Sequence, residues 1–334
     1  MVSFKGNKDR RRSSSRWLRR VSIAIALVVL GTVLAIGVLW GTRRSWGPGM
    51  IVVALSPRYA PVQPPDEVSR VVEVKRPDAR IRAWLFEPES RPRGTVILLH
   101  GIHDSKKTLL PGALHRARRG FRALAVDLRG HGESSGRWLT YGVRESEDLS
   151  ALIDRLQQLD LLQRPLGVHG TSYGAATALM LGGSDSRVDS IVAVAPFSSL
   201  PEVVPYYARW MFGSAAELIP AFFLRDILDD AGRRAGFDPG RACPRCAVSG
   251  FRGSLLLVHG KAEERIPWQQ SVQIRDAATR ASEVRVVLVP GASHLGVGSA
   301  KGVPALIDRW FDEQLVSRGN PRGAVYTVQT LGHS

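Results

Sequence analysis

The 334-residue sequence predicts an α/β architecture: a doubly wound, mostly parallel eight-stranded sheet with a helical cap insertion, preceded by one transmembrane helix. Three observations carry this. Short, continuously apolar runs alternate with longer helix-like stretches between residues 68 and 316, the pattern of strands covered on both faces. The interval 198–250 breaks that rhythm with aromatic and apolar side chains. A Gly-x-Ser-x-Gly turn lies directly between an apolar strand and an Ala-rich helix.

Taken in chain order, residues 1–20 form a basic tail that bears Lys5, Lys8, Arg10, Arg11, Arg12, Arg16, Arg19 and Arg20 against Asp9 alone. Residues 21–40 read VSIAIALVVLGTVLAIGVLW and carry no charge. At about 1.5 Å per residue this helix spans roughly 30 Å, the thickness of bilayer hydrocarbon. A cleaved signal peptide is the alternative, with Ala35-Ile36-Gly37 as a loose cleavage pattern. Its apolar core is normally only ~7–15 residues long, so residues 21–41 are expected to be a membrane anchor. Only Arg43 and Arg44 follow closely. The basic excess keeps the N-terminus cytoplasmic and places the remaining domain in periplasmic or extracellular space. Residues 42–66, with Pro48, Pro57, Pro61, Pro64 and Pro65, read as a linker.

The net charge of +16 raises nucleic acid as a partner. The basic tail accounts for a large part of it, and no nucleic-acid-binding motif is present, so nucleic acid is not expected. Cys243 and Cys246 are the two cysteines, in one Cys-Pro-Arg-Cys unit. That is half a zinc site with no second half, and a redox motif would need a βαβ context. A local disulfide fits a domain outside the cytosol, although so short a loop adds little chain-entropy stabilisation. Neither metal nor cofactor is expected.

From residue 67 to 318 the chain reads as one domain. Residues 68–74 and 81–86 open it as a hairpin. Buried strands follow at 95–100, 121–127, 166–170, 191–195, 254–259 and 284–289. Helices are expected at 108–119, 144–162, 175–181, 268–281 and 303–316. The cap, about 198–250, holds Tyr206, Tyr207, Trp210, Met211, Phe212, Phe222 and Phe223, and is expected to shape an apolar pocket over the sheet's carboxyl edge. Residues 319–334 read as a flexible tail.

Gly170-Thr171-Ser172-Tyr173-Gly174 carries the chemistry. A serine on a sharp strand-to-helix turn is held in a strained backbone conformation. Glycines remove side chains that would clash there. The helix N-terminus offers free N–H groups to a developing oxyanion.

Taken with the other blocks, this sequence resembles the α/β-hydrolase superfamily over about residues 68–316. His100-Gly101 ends the third strand. Asp127-Leu128-Arg129-Gly130-His131-Gly132-Glu133-Ser134 ends the fourth. His259-Gly260, with Ile266-Pro267, is similar to the block that supplies the acid, and Gly291-Ala292-Ser293-His294 to the one that supplies the histidine. The resemblance implies Ser172 as nucleophile, His294 as base, and backbone N–H groups of Ile102 and Tyr173 as the oxyanion hole. The usual Asp position falls on Glu263, with Glu264 adjacent as the alternative acid. His100 is expected beside the hole and His103 at the pocket or in water. Asp127, Arg129 and His131 are expected to shape loops. The implied activity is a serine hydrolase acting on a small-molecule or lipid-like ester, thioester or amide. A peptidase or acyltransferase on the same triad is the alternative, as is an inactive hydrolase-fold binding protein.

Overall fold

The computed structural model describes residues 49, 51, 62–316 and 325–331. The anchor and tail expected at residues 1–41 lie outside the described residues. Among those described, no helix is long and apolar enough to cross a membrane.

The strands are β1 (Arg70–Lys75), β2 (Arg80–Phe86), β3 (Thr95–Leu99), β4 (Arg122–Asp127), β5 (Leu166–Thr171), β6 (Val188–Val194), β7 (Ser254–Gly260), β8 (Glu283–Val289) and β9 (Val325–Thr330). Helices α1 (Leu110–Arg118), α2 (Val143–Gln158), α3 (Tyr173–Ser184), α7 (Gln269–Ala277) and α8 (Val303–Phe311) alternate with them. Between β6 and β7 lie α4 (Leu200–Phe212), α5 (Ala221–Ala235) and the short α6 (Pro244–Val248). The sheet order is β1-β2-β4-β3-β5-β6-β7-β8-β9. The β1–β2 and β2–β4 pairs are antiparallel and all later pairs parallel.

The apolar runs are buried on both faces because alternate residues serve different cores. Ile97 and Leu99 of β3 join Leu149, Leu152 and Ile153 of α2 and Ala175 and Leu179 of α3. Val96 and Leu98 join Ala113 of α1 and Val303, Ile307 and Trp310 of α8. A period of two, apolar in both phases, is what a doubly covered strand requires.

Two expectations are corrected. The sheet has nine strands among the described residues rather than eight. The ninth comes from the segment read as a flexible tail. Val325–Thr330 pairs in parallel with β8, and the Leu331 N–H donates to the Leu288 carbonyl at 3.1 Å. The sequence VYTVQT is too polar and too remote from other elements to stand out, but the open edge of β8 supplies a row of unpaired N–H and C=O groups that it satisfies.

Cys243 and Cys246 form a disulfide. It lies where the cap rejoins the sheet. Nearby, the Leu200 N–H donates to the Ala242 carbonyl at 2.9 Å and the Arg245 N–H to the Ser198 carbonyl at 3.0 Å. The first and last turns of the cap are thereby tied together.

Candidate active site

Ser172, Glu263 and His294 follow the carboxyl ends of β5, β7 and β8, and the structure brings all three together. His294 Nε2 is 2.9 Å from Ser172 Oγ, and His294 Nδ1 is 2.5 Å from Glu263 Oε2. All three side chains are buried. Burial by itself raises the Glu263 pKa. The hydrogen bond and charge of His294, with N–H donors from Arg265 and Ile266 at 2.7 and 3.2 Å, outweigh it and hold the carboxyl below the usual glutamate range. A carboxylate accepting that many donors stays ionised. Glu264 is exposed; of the two adjacent acids, Glu263 is the one that meets the imidazole.

The elbow's sequence follows from its geometry. Ser172 has φ 54° and ψ −113°, a backbone conformation costly for a residue with a Cβ. The turn is so tight that a Cβ on Gly170 would come within 2.2 Å of the Gly174 carbonyl oxygen. One on Gly174 would lie 2.5 Å from the His100 carbonyl oxygen and 2.6 Å from that of Leu99. Neither glycine can be replaced without moving β3 or the elbow.

The backbone of Gly101 borders the same turn, since a Cβ there would stand 3.9 Å from the Ser172 Cβ. His100 fixes the peptide that follows. The Leu128 N–H can only donate, and it meets His100 Nε2 at 3.1 Å. The proton therefore sits on Nδ1, which donates to the Gly101 carbonyl at 2.8 Å. Burial pulls the His100 pKa down, which keeps this neutral tautomer. In a planar trans peptide the N–H points opposite to the C=O, so the Ile102 N–H is aimed away from His100. Tyr173 is the first residue of α3, and such an N–H has no partner inside its helix. Its phenol is anchored by Glu145 at 2.8 Å. The Glu145 carboxylate also takes the N–H groups of Thr140 and Gly142, both at 2.9 Å.

The acid and histidine turns are packed onto each other. The Lys261 and Ala262 N–H groups donate to the carbonyls of Val289 and Ala292. A Cβ on Gly260 would lie 2.1 Å from the Ala292 carbonyl oxygen, so only glycine permits this approach. His259 braces the acid turn: Nε2 donates to the Ile266 carbonyl at 2.8 Å and Nδ1 accepts from Ser271 at 2.7 Å. Burial pulls the His259 pKa down to about 4.

The remaining motif residues form buried networks at the end of β4. Asp127 takes the Glu133 N–H at 2.8 Å and pairs with Lys106. Arg129 spans Asp148 at 2.7 Å and Asp78 at 3.1 Å. His131 Nδ1 accepts no backbone N–H; it donates to the Arg129 carbonyl at 2.9 Å, and its ring lies edge-on to His100. His103 is exposed, with φ 65°.

Lys106, Glu145 and Tyr207 were not legible as site residues in the sequence. Tyr207 stood only among the apolar aromatics of the cap, yet it reaches the Ser172 side chain. The pocket expected from those aromatics is corrected in part: Tyr206, Trp210, Met211, Phe212 and Phe222 are exposed. A helix turns about 100° per residue, and the inner face of α4 is taken by Leu200, Val203 and Tyr207, packed with Phe197 and Ala176.

A family model described as "Serine aminopeptidase, S33" matches residues 90–234, from ahead of β3 to the end of α5. The uncharacterized protein YqkD of Bacillus subtilis is 27% identical over 190 residues, which is 56% of this chain and 60% of that protein. The chain therefore spans less than two thirds of that relative's length. The esterase Pf2001 of Pyrococcus furiosus superposes with a TM-score of 0.60 at 19% identity, covering 78% of this chain and 99% of that one. The acylaminoacyl peptidase of Pyrococcus horikoshii gives 0.55 at 16% identity, covering 75% of this chain and 42% of the other. The likeness to these solved structures shows an α/β-hydrolase-like fold, and the family model's match takes in the elbow residues 170–174.

Proposed function

We propose that the protein is a membrane-tethered serine hydrolase that cleaves a carboxylic ester, thioester or amide through an acyl-enzyme. The observation that carries the reading is the unbroken hydrogen-bonded series Ser172–His294–Glu263 at the carboxyl edge of the sheet. His294 Nε2 takes the Ser172 proton as Oγ attacks the acyl carbon. Glu263 holds the imidazole with Nδ1 protonated and stabilises the imidazolium that forms. The N–H groups of Ile102 and Tyr173 receive the oxyanion. The imidazolium then protonates the leaving group, and water repeats the sequence to release the acid.

A fluorophosphonate probe tests this. The wild-type chain is expected to label at one site and Ser172→Ala not at all. A folded wild type that stays unlabelled would overturn the reading. The match to the serine aminopeptidase model favours a peptidase as second reading. Parallel assays with acyl esters and with aminoacyl anilides separate the two.

The tether rests on the charge-free run at residues 21–40 and the basic block before it. A reporter fused after Ser334 is expected to be active only outside the cytoplasm. Cytoplasmic activity would refute the orientation.

A further inference from the structure

The cap carries a polar group at the nucleophile that the triad does not use. Tyr207, on the inner face of α4, packs against the cluster of Phe197, Leu200 and Val203. Its phenol reaches the Ser172 side chain, with Glu263 and Arg265 as its charged neighbours. The position is clasped from the acid turn. The Tyr207 and Trp210 rings meet edge-on with centroids 6.4 Å apart, and the Arg265 guanidinium lies 4.1 Å over the Trp210 ring. Arg265 in turn donates its N–H to Glu263 Oε1 at 2.7 Å. One series of contacts thus runs from the acid, through the cap, to the nucleophile.

The chemistry of this phenol is constrained. Burial, and then the Glu263 charge, raise its pKa, so it keeps its proton at neutral pH. Ser172 Oγ gives its own hydrogen to His294 Nε2, so toward any other neighbour it can only accept. The leaving group must depart within reach of His294, which protonates it. Tyr207 neighbours both Ser172 and Glu263, the carboxylate that holds His294.

We propose that Tyr207 is a cap-borne hydrogen-bond donor to the leaving-group heteroatom of the substrate; this rests on the acyl-transfer reading above. In the free enzyme the phenol lies beside the Ser172 side chain. When the tetrahedral adduct collapses, the bond from the acyl carbon to the leaving oxygen or nitrogen breaks and its electron pair stays on that heteroatom. The Tyr207 O–H stabilises the charge developing there, and the proton that completes the leaving group comes from the His294 imidazolium. Tyr207 itself loses no proton.

The test uses the full chain and a series of aryl butyrates of graded phenol acidity, with kcat/KM measured for wild type and Tyr207→Phe. Phenylalanine keeps the ring against Trp210, and complete fluorophosphonate labelling of Ser172 reports an intact site. The loss is expected to be about tenfold with phenyl butyrate and about twofold or less with 4-nitrophenyl butyrate, because a poor leaving group gains most from the hydrogen bond. Equal dependence on leaving-group acidity in the two proteins overturns the proposal. So does a uniform loss across the series, which assigns Tyr207 to packing alone. If wild type hydrolyses no member, the acyl-transfer reading falls and takes this role with it.

Discussion

Replacing Glu263 by alanine is expected to lower kcat about 10⁴-fold toward whichever acyl substrate the wild type turns over, and replacing Glu264 to leave it within about twofold. Ser172→Ala and His294→Ala are each expected to cost about 10⁶-fold, and the double variant little more, because the members of a triad act as one unit. The two glutamates are neighbours in sequence, but their environments differ. Glu263 is buried, 2.5 Å from His294 Nδ1 and bonded to two backbone N–H groups. Glu264 is exposed. Losing Glu263 frees the imidazole to adopt the wrong tautomer. The turn that holds Glu263 is tied to the histidine turn by the Ala262 N–H, which donates to the Ala292 carbonyl at 3.1 Å. Steady-state kinetics on the four single variants and the double variant decide the matter. Equal losses at Glu263 and Glu264, or full activity without Ser172, would remove the triad from the mechanism.

Lys106→Met is expected to destabilise the domain by about 3–5 kcal/mol, a large share of the ~5–15 kcal/mol typical of folded proteins. Lys106 is almost wholly buried, paired with Asp127 and 3.2 Å from Glu133, both also buried. Its ammonium sits 4.6 Å over the Trp84 ring. Methionine matches the length of the lysine stem but leaves the carboxylates without their cation. Arg82, at 3.3 Å from Glu133, compensates for only one of them. Adding Glu133→Gln to Lys106→Met is expected to recover part of the loss, since it removes a stranded charge. Urea unfolding of the wild type and the two variants reads this directly. A shift under about 1 kcal/mol for Lys106→Met would show that the cluster is not held by charge.

The sheet was legible because its strands are apolar in both phases and are separated by helix-length segments. The elbow was legible because Gly170, Ser172 and Gly174 are the residue types that its steric limits allow. The acid was only half legible: spacing from His259 pointed to Glu263, but two adjacent glutamates have the same chemistry in one dimension. Packing against β8 and the Ala292 turn buries one and leaves the other in water. Lys106 belongs to no motif in the sequence; its place is set by Asp127 at the end of β4, which pairs with it. Tyr207 read as one more cap aromatic, because its distance from Ser172 in sequence hides their contact in space.

By itself the sequence determined the local events: apolar periodicity, the glycines of the elbow, the order of serine, acid and histidine, and a charge-free run of membrane length. Tertiary structure decided the rest. It chose Glu263 over Glu264, added β9 to an open edge, turned most of the cap's aromatics outward and brought Tyr207 inward to the nucleophile. The physical reason is common to all four. Each depends on which side chains share a buried space or an unpaired backbone edge, and those partners are set by the packing of elements far apart in the chain.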